Sequence, residues 1–285
     1  MRRLAVPGRA PRGRWARWLR WPLRAAALLA ILLAGPLAVL AFGELDLQTH
    51  WSAASHAGAG LAPAAPDEPQ AVVRVYGART YRWRGAFAIH TWIATKRAGE
   101  RSYTIRHVIG WNLYRGRSAV TVSQREVSDF HWFSARPQLL AERRGEGVEA
   151  LIDRIDAAVR DYPYADRYSA WPGPNSNTFT AFVARAVPEL GLDLPPTAIG
   201  KDFLGDGAGV APTPSGTGWQ ASVRGMLGVS IARAEGVEFN LLGLSFGLDF
   251  DDFALRLPGF GRVSLAGGLP APQQEPSEQG RQQHQ

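Results

Sequence analysis

Hydrophobic positions fall into distinct patterns along the chain. An uncharged apolar run of 18 residues, Ala25 to Phe42 (AAALLAILLAGPLAVLAF), comes first and as a helix is long enough to cross the hydrocarbon core of a bilayer. AVVRVY (Ala71 to Tyr76) and AFAIHTWIAT (Ala86 to Thr95) then read as strands, the second apolar on both alternating faces as a central strand would be. YTIRHVIGW (Tyr103 to Trp111) follows a turn around Arg97 to Glu100, and Ser118 to Val127 adds a further strand. Closed symmetrically, that turn sets His107 directly across from His90 and Trp92 opposite Ile105. The period then lengthens. Val148, Leu151, Ile152, Ile155 and Val159 form a helical stripe over Val148 to Arg160, and Phe179, Phe182, Val183, Ala186 and Val187 form a second one, ended by Pro188 and Gly191. From Trp219 to Leu265 short apolar runs punctuated by glycine predict a meander or hairpins.

Strands, then helices, then strands predict an α+β fold: an antiparallel sheet with two or three packed helices, a C-terminal β-rich part and one N-terminal transmembrane helix. Ala53 to Pro69, rich in Ala, Gly and Pro without periodicity, reads as a tether, and Pro270 to Gln285 as a disordered end. The expected organisation is a basic cytoplasmic tail at 1–24, an anchor or signal at 25–42, a flexible linker at 43–70, one globular domain at 71–265 and a disordered tail at 266–285.

Charge sharpens this picture. The formal net charge of +7 is misleading, because eight arginines precede Ala25 and the remainder of the chain carries −1. Basic residues concentrated ahead of an apolar run, instead of interleaved with aromatics on the domain, argue against nucleic-acid binding. The positive-inside rule places that arginine-rich end in the cytoplasm and the rest across the membrane, giving a single-pass inner-membrane protein with a periplasmic domain. Val39-Leu40-Ala41 also reads as a small-residue cleavage site, so a cleaved signal competes with an uncleaved anchor; the length of the run favours the anchor.

No cysteine is present, which excludes disulfides, thiolate metal sites and a cysteine nucleophile. The six histidines never take HExxH spacing, and LDFDDF (Leu248 to Phe253) lacks the glycine and distal Glu of a calcium loop, so neither metal nor cofactor is expected. IGKDFLGDG (Ile199 to Gly207) carries Lys201, Asp202 and Asp206 among glycines and reads as a surface loop or as the lining of a cleft.

The stretch with most chemical content is WPGPNSNTF (Trp171 to Phe179). Ser176 opens the second helical stripe, where free backbone N–H groups can receive an oxyanion. A serine needs a base, and His90 is the best-placed candidate, with His107 or Asn175 supporting it and Asn177, Trp92, Lys201 and Asp202 contacting substrate. The competing reading is structural: Asn, Ser and Thr crowd helix N-termini because their side chains accept the unpaired N–H bonds.

HTWIA, WPGPNSNTF, LPPTAIGKD, PSGTG and EFNLLGLSFGLDF together resemble the bacterial family catalogued as domain of unknown function 3750, over about Tyr76 to Val263. The resemblance implies an envelope-anchored protein and no particular activity. In motif order, a strand histidine (HTW at His90) followed by a polar helix start (NSN at Ser176), the chain also resembles circularly permuted papain-like hydrolases of the NlpC/P60 kind. That second resemblance implies a permuted papain-like layout with Ser176 where those enzymes carry cysteine. Two functions follow as expectations. One is a serine-dependent hydrolase or acyl/amide transferase of the envelope, with Ser176 as nucleophile and His90 as base; the other is a non-catalytic envelope protein that uses the same cleft to bind a peptide, glycan or lipid.

Overall fold

A computed structural model describes residues 15–264 apart from 252; the expected disordered tail and most of the basic tail lie outside the described residues. Helix α1 (Trp15–Phe42) is followed by two antiparallel sheets and two further helices, so the fold is α+β. Within α1, Arg20–Phe42 is long and apolar enough to cross a membrane.

The first sheet contains β1 (Val72–Arg79), β2 (Ile89–Lys96), β3 (Tyr103–Val108), β4 (Val120–Arg125) and β5 (Gln138–Arg144), in the order β4-β3-β2-β1-β5. β2 is its middle strand and every residue in it is buried, which is why its sequence is apolar on both faces. One face carries Val73, Val75, Ile89, Ile93 and Val108, and packs on α2 (Val148–Arg160) and α3 (Ser176–Ala186) through Ile152, Ile155, Phe179 and Val183. The opposite face carries Tyr76, Trp92, Tyr103 and Ile105, closed over by Phe130 and Trp132 from the segment after β4. Residues 57–65 also dock here, so the flexible linker expected across them is corrected. Leu61 N donates to the Asp129 carboxylate at 2.5 Å, Ala59 N to the Asp129 carbonyl and Ala65 N to the Glu126 carbonyl.

The β2–β3 register differs from the symmetric hairpin by two positions: Ile105 pairs with Ala94 instead of Trp92. The turn centres on Gly99, whose φ of 75° lies in the left-handed region that glycine enters at least cost. An even shift leaves each side chain on its own face, so His90 and His107 still share one.

The second sheet is a seven-stranded meander, β6 (Ala208–Pro212), β7 (Gly218–Val223), β8 (Leu227–Ala232), β9 (Gly236–Leu241), β10 (Leu244–Asp249), β11 (Ala254–Leu257) and β12 (Gly261–Ser264), each paired with its sequence neighbour. Its alternation is strict and inverted. The buried face is polar, carrying Gln220, Ser222, Ser230, Glu238, Asn240 and Arg256. The opposite face carries an apolar row, Trp219, Ile231, Val237, Leu248, Leu255 and Val263, in which each residue is the cross-strand partner of the next.

Candidate functional site

Asn175, Ser176 and Asn177 open α3 where it meets β2. The cap is Asn175, whose Oδ1 accepts from Asn177 N at 2.9 Å and from Thr178 N at 3.2 Å; Thr178 Oγ1 accepts from Asn175 N in return, closing a capping box. Asn175 Nδ2 donates to the carbonyls of Ala170 and Ile199. Asn177 Nδ2 donates to the carbonyls of Ile89 and Ile199, and Thr91 Oγ1 lies 3.2 Å from the Ser176 carbonyl and 2.9 Å from Thr180 Oγ1. These bonds fasten the start of α3 to β2 and to the loop that follows α3. Two of the N–H groups that would receive an oxyanion are already bonded to Asn175, and Ser176 itself is only 5% exposed.

Ser176 is not brought to His90. Thr91 on β2 faces α3, and its neighbour His90 points to the other side of the sheet, because successive side chains on a strand alternate. His90 stacks on Trp132 there, with ring centroids 3.7 Å apart and planes 8° from parallel, and its Nε2 lies 3.0 Å from His107 Nδ1. The expected pairing of nucleophile and base is corrected by this geometry: a sheet stands between the serine and the imidazole. The association of His90 with His107 survives, as a buried pair and not as support for a serine. Burial holds both imidazoles neutral. The His90 pKa falls well below the ordinary histidine value through desolvation and then through the neighbouring His107, while His107 is lowered to about 3 by desolvation and the Arg125 cation. One ring nitrogen therefore donates and the other accepts.

The other expected substrate contacts also lie inside the protein. Trp92 is fully buried, stacks on Tyr76 and Phe130, and donates from Nε1 to the Ser128 carbonyl at 2.9 Å. Lys201 and Asp202 do not form a surface loop. Lys201 Nζ bonds Glu238 at 2.6 Å and the Leu194 carbonyl at 2.9 Å; Glu238 also accepts from Arg256, and Arg256 forms two 2.7 Å bonds with Asp193. Burial would raise the Glu238 pKa, but Lys201 and Arg256 overcome it and hold the carboxylate below its usual range. Asp202 accepts from Asn240 at 2.7 Å, and there desolvation prevails and raises its pKa. This polar layer joins the inner face of the second sheet to the loop after α3. The signal for this layer in the sequence is the alternation of Gln220, Ser222, Glu238 and Asn240.

An open concavity lies elsewhere. A cleft of about 660 Å³ runs between the β1–β5 side of the first sheet and the β10–β12 end of the second. Of its carboxylates, Asp193 is paired with Arg256, Asp249 with Arg262 and Asp251 with Arg233. Its other two cations are differently placed. Arg79 donates only to the Gly85 and Gly259 carbonyls and Arg136 is exposed, and among the described residues neither forms a carboxylate ion pair. Burial lowers the Arg79 pKa from the usual guanidinium value, as expected for a cation with neutral partners alone. Among the described residues no group of His, Asp or Glu is arranged to hold a metal ion.

Residues 70–203 match the family described as "Protein of unknown function (DUF3750)". The match covers the first sheet, α2, α3 and the start of the polar layer; the second sheet lies beyond it. No curated protein and no solved structure matches the chain.

Proposed function

With that family match as the premise, we propose that the chain is a membrane-anchored, non-catalytic binding protein of the cell envelope, with its domain on the periplasmic side. We further propose that it takes the anionic group of a peptide or glycan in the cleft between its two sheets. The observation that carries this reading is the placement of Ser176 and His90 on opposite sides of the first sheet, which removes the base a serine nucleophile requires. Arg79 and Arg136, which among the described residues form no carboxylate ion pair, support the choice of ligand, since a guanidinium recognises a carboxylate through paired hydrogen bonds. The cleft volume, about 660 Å³, is within the usual range for small-ligand sites.

The test is thermal unfolding of the full chain in detergent with a tripeptide bearing a free carboxylate, its C-terminal amide and a uronic-acid disaccharide. A ligand present at a hundred times its Kd stabilises by about 2.7 kcal/mol. Stabilisation by one of the acids but not by the amide, lost in Arg136→Ala, is the expected outcome. Equal behaviour of acids and amide, or retention of the effect in Arg136→Ala, would refute the anion site.

A further inference from the structure

We propose that the apolar outer face of the seven-stranded sheet lies in the membrane interface, against the acyl chains of the bilayer that α1 enters. The proposal rests on reading α1 as the anchor. The face is continuous: besides the row that begins at Trp219, a second row runs Val210, Ala221, Val229, Phe239 and Phe246, again partner to partner across five strands. Trp219 is 63% exposed, Ile231 64% and Phe239 48%, while the polar side chains of the same strands point inward. A soluble sheet ordinarily reverses this arrangement, turning its polar side to water.

The contact between the anchor and the sheet sets the height of that face. A Cβ on Gly35 would lie 2.0 Å from the Pro258 carbonyl oxygen, and one on Gly259 would lie 2.5 Å from Pro36 N, so the two glycines let the β11–β12 turn rest directly on the α1 backbone. Gly35 precedes the end of α1 at Phe42 by seven residues, about 10 Å along a helix. An α1 that spans the membrane therefore holds this turn, Pro258-Gly259-Phe260, below the level at which the helix leaves the hydrocarbon. The turn is uncharged, and its Gly259 carbonyl accepts from Arg79 at 2.9 Å, so that backbone acceptor is not left bare in an apolar medium. An open sheet cannot span a bilayer, since its edges would be unpaired there. Lying flat, with its apolar side chains among the acyl chains and its edges at the headgroups, it meets the same constraint as an amphipathic helix at the interface.

The absence of native cysteine makes the test clean. Single variants Ile231→Cys and Phe239→Cys of the full chain, with Ile31→Cys in α1 and Ser102→Cys in the β2–β3 turn of the first sheet as references, are spin-labelled and reconstituted in phosphatidylcholine/phosphatidylglycerol vesicles. Collision with dissolved oxygen is then compared with collision with a water-soluble nickel chelate. Labels at 231 and 239 are expected to follow the α1 label, favouring oxygen, while the label at 102 favours the chelate. Labels at 231 and 239 that favour the chelate, with 31 still lipid-exposed, would overturn the proposal and leave the anchor intact. Labels at 231 and 239 shielded from both reagents would overturn it in favour of a protein partner, such as a second copy. A label at 31 that favours the chelate would remove the anchor reading and the proposal with it.

Discussion

His90 and His107 show how a single residue's environment decides its chemistry. Both sit among aromatic rings on the side of the first sheet away from the helices, and both have pKa values lowered by burial. The unfolded chain takes up protons on these imidazoles below about pH 6.5 whereas the native chain does not, so stability falls with decreasing pH by about 1.4 kcal/mol per pH unit for each histidine. For His107 this loss extends from the unfolded value down towards its folded value of about 3. Denaturant titrations between about pH 6.5 and 4.5 should show this dependence, and His107→Gln should flatten it; an unchanged slope in that variant would contradict a neutral buried pair. That His90 and His107 share a face was legible from the two-residue strand period. Which face the helices cover was not, because β2 is apolar on both sides and the period is silent where both faces are buried.

At the scale of elements, α2 was legible to the residue, since its five apolar positions at helical spacing end against polar neighbours. The start of α3 was legible as a polar cap, but the capping residue is Asn175 and Ser176 is the first helical position, a distinction of one residue that composition does not carry. Asn175→Ala removes a cap worth about 1 kcal/mol together with two part-buried side-chain bonds, and should cost about 2 kcal/mol or more in chemical denaturation. Ser176→Ala should cost clearly less, because it is the Ser176 backbone carbonyl, kept in the variant, that accepts from Thr91 Oγ1. Equal penalties, or a larger one at Ser176, would contradict this assignment. From Trp219 onward the second sheet was legible as a meander or hairpins, and the alternation of its side chains is present in the sequence. The direction of that alternation was not legible, because the inward polar face depends on Glu238 finding Lys201 and Arg256, partners distant in sequence.

For the whole molecule, the N-terminal helix, the polar layer and the cleft act together. α1 rests on the β11–β12 turn, the polar layer locks the second sheet to the α3 loop, and the cleft opens where the two sheets diverge. Motif order alone, HTW followed by NSN, suggested a site that the alternation of one strand divides between two faces. The most direct measurement of the central claim, that this protein binds and does not catalyse through Ser176, is the thiol reactivity of Ser176→Cys in the full, otherwise cysteine-free chain, with and without His90→Gln. The account predicts a slow thiol with a pKa at or above the ordinary value of about 8.5, indifferent to residue 90; fast alkylation at neutral pH that His90→Gln abolishes would contradict it.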